Sequence, residues 1–500
     1  MSESIIVIGA GVAGLSAGCY GQMNGYKTQI FELHDKPGGL CTAWKRKGFT
    51  FDGCIDWLVG SQEGTAFNRI WRELGAVQGR QFVDHDIHIS VEDEDGRAFN
   101  IYTNIDRLER HMKALSPADS SLIEAFCDGA RRMTKMSEVM GDMGKSGLLA
   151  RLKMGAKMLP LMGTFRKYGK VSTREFANWF QDPFLQRAFA AAFDIAGFPV
   201  IAVMMMLAWH HQRDAGYPIG GSLEFARAIE ARYLGLGGEL HYNSRVEEIL
   251  VEDDTAVGVR LTDGTEHRAD VVISAADGHA TIFDMLGGQY VDDTIRGYYE
   301  ELPLFPSWVQ VSLGVARDLT GLPQIVNFPL DRPVTIGGEE EERIAFRHFC
   351  YDPTAAPEGK STVVVMFMAD YDYWAPLVED RERYEAEKKD VAIKTIDALE
   401  TRLPGIADQI EVVDVSTPVT VKRYTNNWQG SMEGWLITTE TIDMVFGRGM
   451  KRTLPGLENF YMVGQWVQPG GGLPPAAESG RKVIGTICKQ DGKKFQATTT

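Results

Sequence analysis

One stretch near the start of the sequence constrains the fold more than any other. Ile5-Ile6-Val7-Ile8 is a short apolar run, the pattern of a strand covered on both faces. It passes directly into Gly9-Ala10-Gly11-Val12-Ala13-Gly14, which reads GxGxxG, and then into Leu15-Ser16-Ala17-Gly18. A strand, a glycine turn and a helix bring backbone N–H groups and the positive end of the helix against a phosphate. Gly9 permits the turn, Gly11 leaves room for a pyrophosphate, and Gly14 lets the helix lie close to the strand. A second strand, Thr28-Gln29-Ile30-Phe31, ends at Glu32, 21 residues after Gly11. A carboxylate at that spacing accepts the hydroxyls of an adenosine ribose and repels a 2′-phosphate. The unit therefore binds a dinucleotide.

Composition narrows the class of protein. The 500 residues carry 52 basic and 68 acidic side chains, a net charge of −16, with 44% apolar and 24% charged residues. That balance is globular and excludes disorder or a coiled coil for the bulk of the chain. The acidic total argues against a nucleic-acid partner. The length predicts two or three domains. Cys19, Cys41, Cys54, Cys127, Cys350 and Cys488 are scattered, with no CxxC pair and no zinc spacing, so reduced thiols and no metal site are expected. No basic leader precedes Ile5, and a cytoplasmic protein is expected. The longest apolar run, Ile195 to Trp209, is interrupted by Gly197 and Pro199. It is too short to span a bilayer comfortably and reads as a core helix, pocket wall or interfacial segment.

The next motifs distinguish the cofactor. Lys36-Pro37-Gly38-Gly39 follows Glu32, and Gly48-Phe49-Thr50-Phe51-Asp52-Gly53 follows that. Here the sequence resembles the flavoproteins that include amine oxidases, phytoene desaturases and carotenoid isomerases, in which an FAD fingerprint precedes a Gly-Gly segment and a GFxFD strand. Leu40-Cys41 stands where those families usually carry arginine. Further on, Tyr217-Pro218-Ile219-Gly220-Gly221-Ser222 leads into a helix predicted from about Leu223 to Leu234, with Ser222 as N-cap. Val246 to Ser274 then reads as an antiparallel meander, with Asp263-Gly264 as a turn and Val271-Val272-Ile273 as the return strand. This order resembles the carotenoid isomerases and retinol saturases. The resemblance implies that Val246 meets the adenine and that the Tyr217/Gly220/Gly221 loop lies near the flavin ring.

A closing motif repeats the phosphate-cradle logic. The strand Leu457 to Gly464 is followed by Gln465-Trp466-Val467-Gln468-Pro469-Gly470-Gly471-Gly472-Leu473-Pro474-Pro475 and a helix through Gly480. The positive end of that helix, aimed at the flavin, stabilises the anionic reduced ring. The motif resembles the PGGGxP segment of phytoene desaturases, with Gln465, Trp466 and Pro475 departing from its commoner small residues. Asp352 to Lys360 and Tyr424 to Ser431 resemble two more stretches of that family. The candidate FAD contacts are Gly9, Gly11, Ala13, Gly14, Glu32, Leu33, Gly39, Leu40, Val246, Gly464, Gly472, Leu473 and Pro474. Tyr217, Trp428, Gln465 and Trp466 are candidates for the substrate pocket.

Residues 131–174 hold eleven basic and two acidic side chains, a local charge of +9, and seven methionines. Such a segment is either a solvated basic face over a core helix or a surface that lies on anionic lipid and admits an apolar ligand. The second reading, a peripheral membrane contact, is the expectation here. His210-His211 reads as structural, and Asp84 to His88 as a surface strand. Cys41 and Cys54 read as inert buried thiols. No second dinucleotide fingerprint, GxSxG, HExxH or P-loop occurs, so a diffusing donor or acceptor must exchange electrons with the flavin, or the net reaction is redox-neutral.

The fold class expected is α/β. A Rossmann-like FAD domain with a parallel sheet and a β-meander comes from residues 1–75, 217–296 and 446–500. A substrate domain of mixed sheet comes from 76–106 and 297–445, and a helical, membrane-facing cap from 107–216. The resemblance implies desaturation, saturation or cis–trans isomerisation of carbon–carbon bonds in a long apolar isoprenoid or polyene. The alternatives are an amine-oxidase-like enzyme, with Trp428, Trp435 and Trp466 as an aromatic cage, and a non-enzymatic prenyl-lipid carrier.

Overall fold

The computed structural model describes residues 2–136, 148–446 and 449–499. The apolar strand Ser4–Ile8 is the centre of a five-stranded sheet. Its order is Glu239–His241, Lys27–Phe31, Ser4–Ile8, Val271–Ser274 and Phe460–Met462. Every pair in it is parallel. The two-residue side-chain period divides the central strand between two cores. Ile5 and Val7 pack with Leu15 of helix Val12–Met23, Phe225 of helix Gly221–Gly235 and Ile484 of helix Leu473–Gln490. Ile6 and Ile8 pack with Val246, Ile249 and Val259 of the meander on the other face.

The α/β class holds, with two local corrections. The meander is Val246–Glu252, Thr255–Leu261 and Glu266–Arg268. The expected return strand at Val271–Ser274 leaves it and joins the parallel sheet beside Ser4–Ile8. The continuous apolar sequence Val271-Val272-Ile273 suits that doubly covered position better than a meander edge. Ser222 is not the helix cap: Gly220, at φ +97°, holds the cap position of helix Gly221–Gly235. The Ser222 hydroxyl donates instead to Asp52 Oδ1 at 2.7 Å and accepts from the Ile55 N–H at 3.0 Å.

A second sheet has seven strands, in the order Ile410–Ser416, Ser307–Val315, Ser361–Ala369, Glu339–His348, Ile325–Ile336, Ile87–Glu92 and Ala98–Tyr102. Its pairs are antiparallel except Ile325–Ile336 with Ile87–Glu92. Helix Arg381–Arg402 buries Val391 and Leu399 against Val311, Phe346 and Val365 of this sheet. The expected surface strand at Asp84 to His88 is corrected: His88 is buried on an interior strand, between two hydrogen-bonded neighbours.

Helices Ile105–Leu115, Ser120–Met133, Pro183–Ala192 and Val200–His211 form a third layer around Phe126, Phe176, Leu185 and Met204. Helix Leu148–Tyr168 joins them through Leu161. Residues 137–147 of the basic segment lie outside the described residues. No described helix is long and apolar enough to cross a membrane.

Candidate active site

The carboxyl ends of four parallel strands open on one cavity of about 960 Å³. Ile8, Glu32, Ala275 and Val463 carry its wall from strand to strand, and open α/β sheets bind ligands at this edge. Of the residues singled out in the sequence, Gly9, Gly11, Ala13, Glu32, Leu33, Gly39, Leu40, Val246, Gly464, Gly472, Leu473 and Pro474 line the cavity, together with Gln465 and Trp466.

Gly14, Tyr217 and Trp428 do not. Gly14 acts behind the wall: a Cβ there would stand 2.0 Å from the Gly9 carbonyl oxygen, so only glycine lets the helix meet the turn. Tyr217 is buried against Phe349 and Tyr351, and its hydroxyl donates to Asp352 Oδ2 at 3.0 Å. That bond and packing keep it, and its loop, away from the flavin-side cavity. Trp428 stacks on His279 at 5.0 Å, and its backbone N–H donates to Asp277 Oδ2 at 2.8 Å. Of the three tryptophans considered as an aromatic cage, only Trp466 lines the cavity.

The residues present fit FAD. At one end Glu32 is 5% exposed and accepts from the Ala10 N–H at 2.6 Å and the His34 N–H at 2.9 Å. Burial raises its pKa, and those two N–H groups oppose the rise. A carboxylate so fixed at the strand end presents its remaining lone pairs to a ribose. Gly11 bridges to Gly38 and carries no side chain into the cavity. Arg452, unnoticed in the sequence, also lines it. One guanidinium nitrogen is bonded to Gln468 Oε1 at 3.1 Å, while its buried Nε has no partner. An unmatched cationic donor here suits a phosphate-bearing ligand.

Much of the remaining wall is apolar. Phe193, Ile195 and Phe198 contribute to it, with Ile201, Met205, Met206 and Trp209 of helix Val200–His211 and Ile437, Ile442 and Val445 opposite in sequence. The apolar run recognised in the sequence is thus both core and pocket wall. His210 and His211 stay out of the cavity. His210 is buried beside Trp57 and His88, and His211 Nδ1 accepts from the Ile105 N–H at 3.2 Å. Cys41 and Cys54 do line it, and the Cys54 thiol is pushed up by its hydrogen bond with Cys41 and by burial.

Four carboxyl groups of the cavity were not marked as site residues by the sequence, among them Glu478, which pairs with Lys482 at 2.9 Å. Asp56 is paired with Arg347 at 2.5 Å. Asp277 accepts from the N–H groups of Ala280 at 2.7 Å and Trp428 at 2.8 Å, and burial raises it to about 6. Glu433 has no hydrogen-bond or ion-pair partner among the described residues, and burial pushes it up to about 7. A single acidic residue inside Gly430-Ser431-Met432-Glu433-Gly434 has no periodic signal; only its place in a glycine-rich motif could have marked it.

The family model for flavin containing amine oxidoreductases matches residues 12–484. The phytoene desaturase (neurosporene-forming) of Rhodobacter capsulatus is 28% identical, over 96% of this chain and 93% of its own. The chloroplastic prolycopene isomerase of Arabidopsis thaliana is 25% identical, over 95% of this chain and 81% of its own. A solved putrescine oxidase variant has the same fold at a TM-score of 0.60 and 14% identity, covering 98% of this chain and all of its own, 100%. With a cavity that fits FAD and a family match over nearly its whole length, the chain is an FAD-dependent oxidoreductase and belongs to the flavin containing amine oxidoreductase family.

Proposed function

We propose that this enzyme acts on carbon–carbon bonds of a long apolar isoprenoid or polyene, by desaturation, saturation or cis–trans isomerisation. The observation that carries the reading is the cavity itself, which joins a dinucleotide cradle to a wall of Phe193, Phe198, Ile201, Met205, Met206 and Trp209. Methionines and aromatics of this kind adapt to a flexible apolar chain. The names of the two curated relatives support the same substrate class. The amine reading is weaker, because Trp428 and Trp435 stand behind the cavity wall.

FAD supplies the two-electron chemistry when bound. Gly9, Gly11, Ala13, Glu32, Leu33, Gly39, Leu40, Val246, Gly464, Gly472, Leu473 and Pro474 are the proposed contacts that hold it. The apolar wall orients the substrate and excludes water, and Gln465 and Trp466 shape the pocket. Gln465 Nε2 and Trp466 Nε1 both donate to Asn427 Oδ1 at 3.1 Å, which fixes the two side chains. The domain limits given from the sequence are retained as part of this proposal, as is a diffusing electron partner.

The test is product mass after anaerobic incubation with a poly-cis polyene, with the flavin oxidised or reduced. A change of two hydrogens identifies a desaturase or saturase. A new isomer of unchanged mass identifies an isomerase. Unaltered polyene in both states rejects the substrate class.

We also infer peripheral contact with anionic lipid on the cytoplasmic side. Leu159 and Met162 of helix Leu148–Tyr168 are 66% and 57% exposed, in a segment that also carries Arg166, Lys167 and Lys170. Co-sedimentation with anionic but not neutral vesicles is expected; equal recovery with both, or with neither, rejects it.

A further inference from the structure

Glu433 is the one carboxyl group of the cavity that nothing in the described structure engages. Glu32 is held by two backbone N–H groups, Asp56 by Arg347, Asp277 by two further N–H groups and Glu478 by Lys482. The segment that carries Glu433 is clamped on both sides. The Ser431 hydroxyl donates to the Phe305 carbonyl at 3.0 Å and accepts from the Gly434 N–H at 3.2 Å. The Phe305 N–H donates to the Gly434 carbonyl at 2.7 Å, and the Leu436 N–H to the Pro303 carbonyl at 2.9 Å. The side chain is therefore presented to the cavity from a fixed backbone.

Its carboxyl lies against the glycine loop that precedes helix Leu473–Gln490. A Cβ on Gly471 would come within 2.5 Å of Glu433 Oε2 and 3.0 Å of its Cδ, and Gly471 has φ +58°. The same Cβ would stand 2.7 Å from the Glu433 Cβ, so the loop and the Glu433 side chain are in close contact along its length. Cys54, whose thiol the charge of Glu433 raises, and Cys41 beside it share the cavity wall, as do Arg452 and, on the helix that follows the glycine loop, Glu478 and Lys482, which pair with each other at 2.9 Å. No ion pair among the described residues offsets the burial of Glu433.

We propose that Glu433 is the acid–base residue of this cavity, exchanging a proton with a carbon atom of the bound substrate. The proposal rests on the polyene reading above. In an isomerisation the Oε–H bond of Glu433 breaks, and the π pair of one C=C bond forms a new C–H bond. The positive charge left behind spreads along the conjugated chain. The former double bond, now single, rotates. The carboxylate then recovers the proton and the C=C bond re-forms. Atoms and electrons balance without an oxidant. In a saturation or desaturation, for which bound FAD would supply the hydride chemistry, Glu433 gives or takes the accompanying proton. A carboxyl titrating near neutrality is suited to both directions.

The experiment compares FAD-loaded wild type with E433Q, which keeps the shape and loses the acid. Two readouts are taken: deuterium in the polyene recovered from heavy water, and the infrared carbonyl band of a protonated carboxyl as a function of pH. Wild type is expected to place solvent deuterium on the chain, and E433Q to lose that incorporation at least a hundredfold while retaining FAD. The infrared difference between wild type and E433Q is expected to contain a carbonyl band that fades with a midpoint near pH 7, separate from the bands of Asp277 and Asp214, which both proteins keep. Equal deuterium incorporation by the two proteins overturns the proposal. So does a difference spectrum without such a band. If the band titrates as expected but the polyene returns untouched, the acid is supported and the substrate class is rejected.

Discussion

At the scale of single residues, the cavity is governed by how each carboxyl group is satisfied. Glu32 owes its position to the Ala10 and His34 N–H groups, and it is the only carboxyl the glycine fingerprint points to. Replacing it with alanine removes charge-assisted hydrogen bonds worth about 1.5–3 kcal/mol, so the Kd for FAD should rise about 10- to 100-fold. An unchanged Kd in a fluorescence titration would remove Glu32 from the contact set. Glu433 carries a different signature. One side faces the internal cavity and it makes no ion pair among the described residues, so its folded-state pKa of about 7 stands above the ordinary value of 4.5. The folded chain thus binds this proton more tightly than the unfolded chain. The stability it contributes is fully present below about pH 4.5 and is lost as pH climbs towards 7. E433Q should therefore match wild type at pH 4 and exceed it at pH 8, by on the order of 1–3 kcal/mol. Thermal unfolding at the two pH values reads this directly; an identical pH dependence in both proteins contradicts it.

At the scale of elements, helix Val200–His211 serves two faces. Val200, Met204 and Leu207 are buried in the core, and Ile201, Ala202, Val203, Met205, Met206 and Trp209 line the cavity. Its sequence is apolar around most of its circumference, which a helix needs when core and pocket lie on different sides. Ala202 is a small residue on the cavity wall. Ala202→Phe is expected to raise KM for a long polyene at least tenfold and leave bound FAD at one per chain. Loss of FAD instead would mean that this wall belongs to the cofactor and not to the substrate. The element was visible in the sequence as an apolar run. Its division into core and wall was not, because periodicity records burial and does not distinguish a packed neighbour from a cavity.

At the scale of the whole molecule, the parallel sheet draws strands from both ends and the middle of the chain. Asp491 accepts hydrogen bonds from the Ser2 N–H and the Tyr26 hydroxyl, so the closing helix is tied to the first strands. FAD bound at the opposite, carboxyl edge of that sheet would touch segments from both ends and the middle of the chain and stabilise them together. At a free concentration 100 times Kd, the gain is about 2.7 kcal/mol, and Tm should rise with each further addition of FAD. A Tm indifferent to FAD would place the cofactor outside the cooperative unit.

Local patterns in the chain sufficed to recognise the dinucleotide-type fold and most of the named residues that line the cavity. Gly9, Gly11, Gly14, Glu32 and the Gly470-Gly471-Gly472 loop are local devices. Each is a backbone requirement imposed within a few residues, so each leaves a local pattern. Contacts between distant parts of the chain settled the rest. Val271–Ser274 went to the parallel sheet because pairing is settled by what covers each face. Tyr217 turned from the cavity because Asp352, 135 residues away, holds its hydroxyl. Glu433 became the free carboxyl of the cavity because its neighbours among the described residues, Gly471 included, provide neither a hydrogen-bond donor nor an ion pair. Those outcomes depend on residues distant in the chain and close in space, and no local pattern records them.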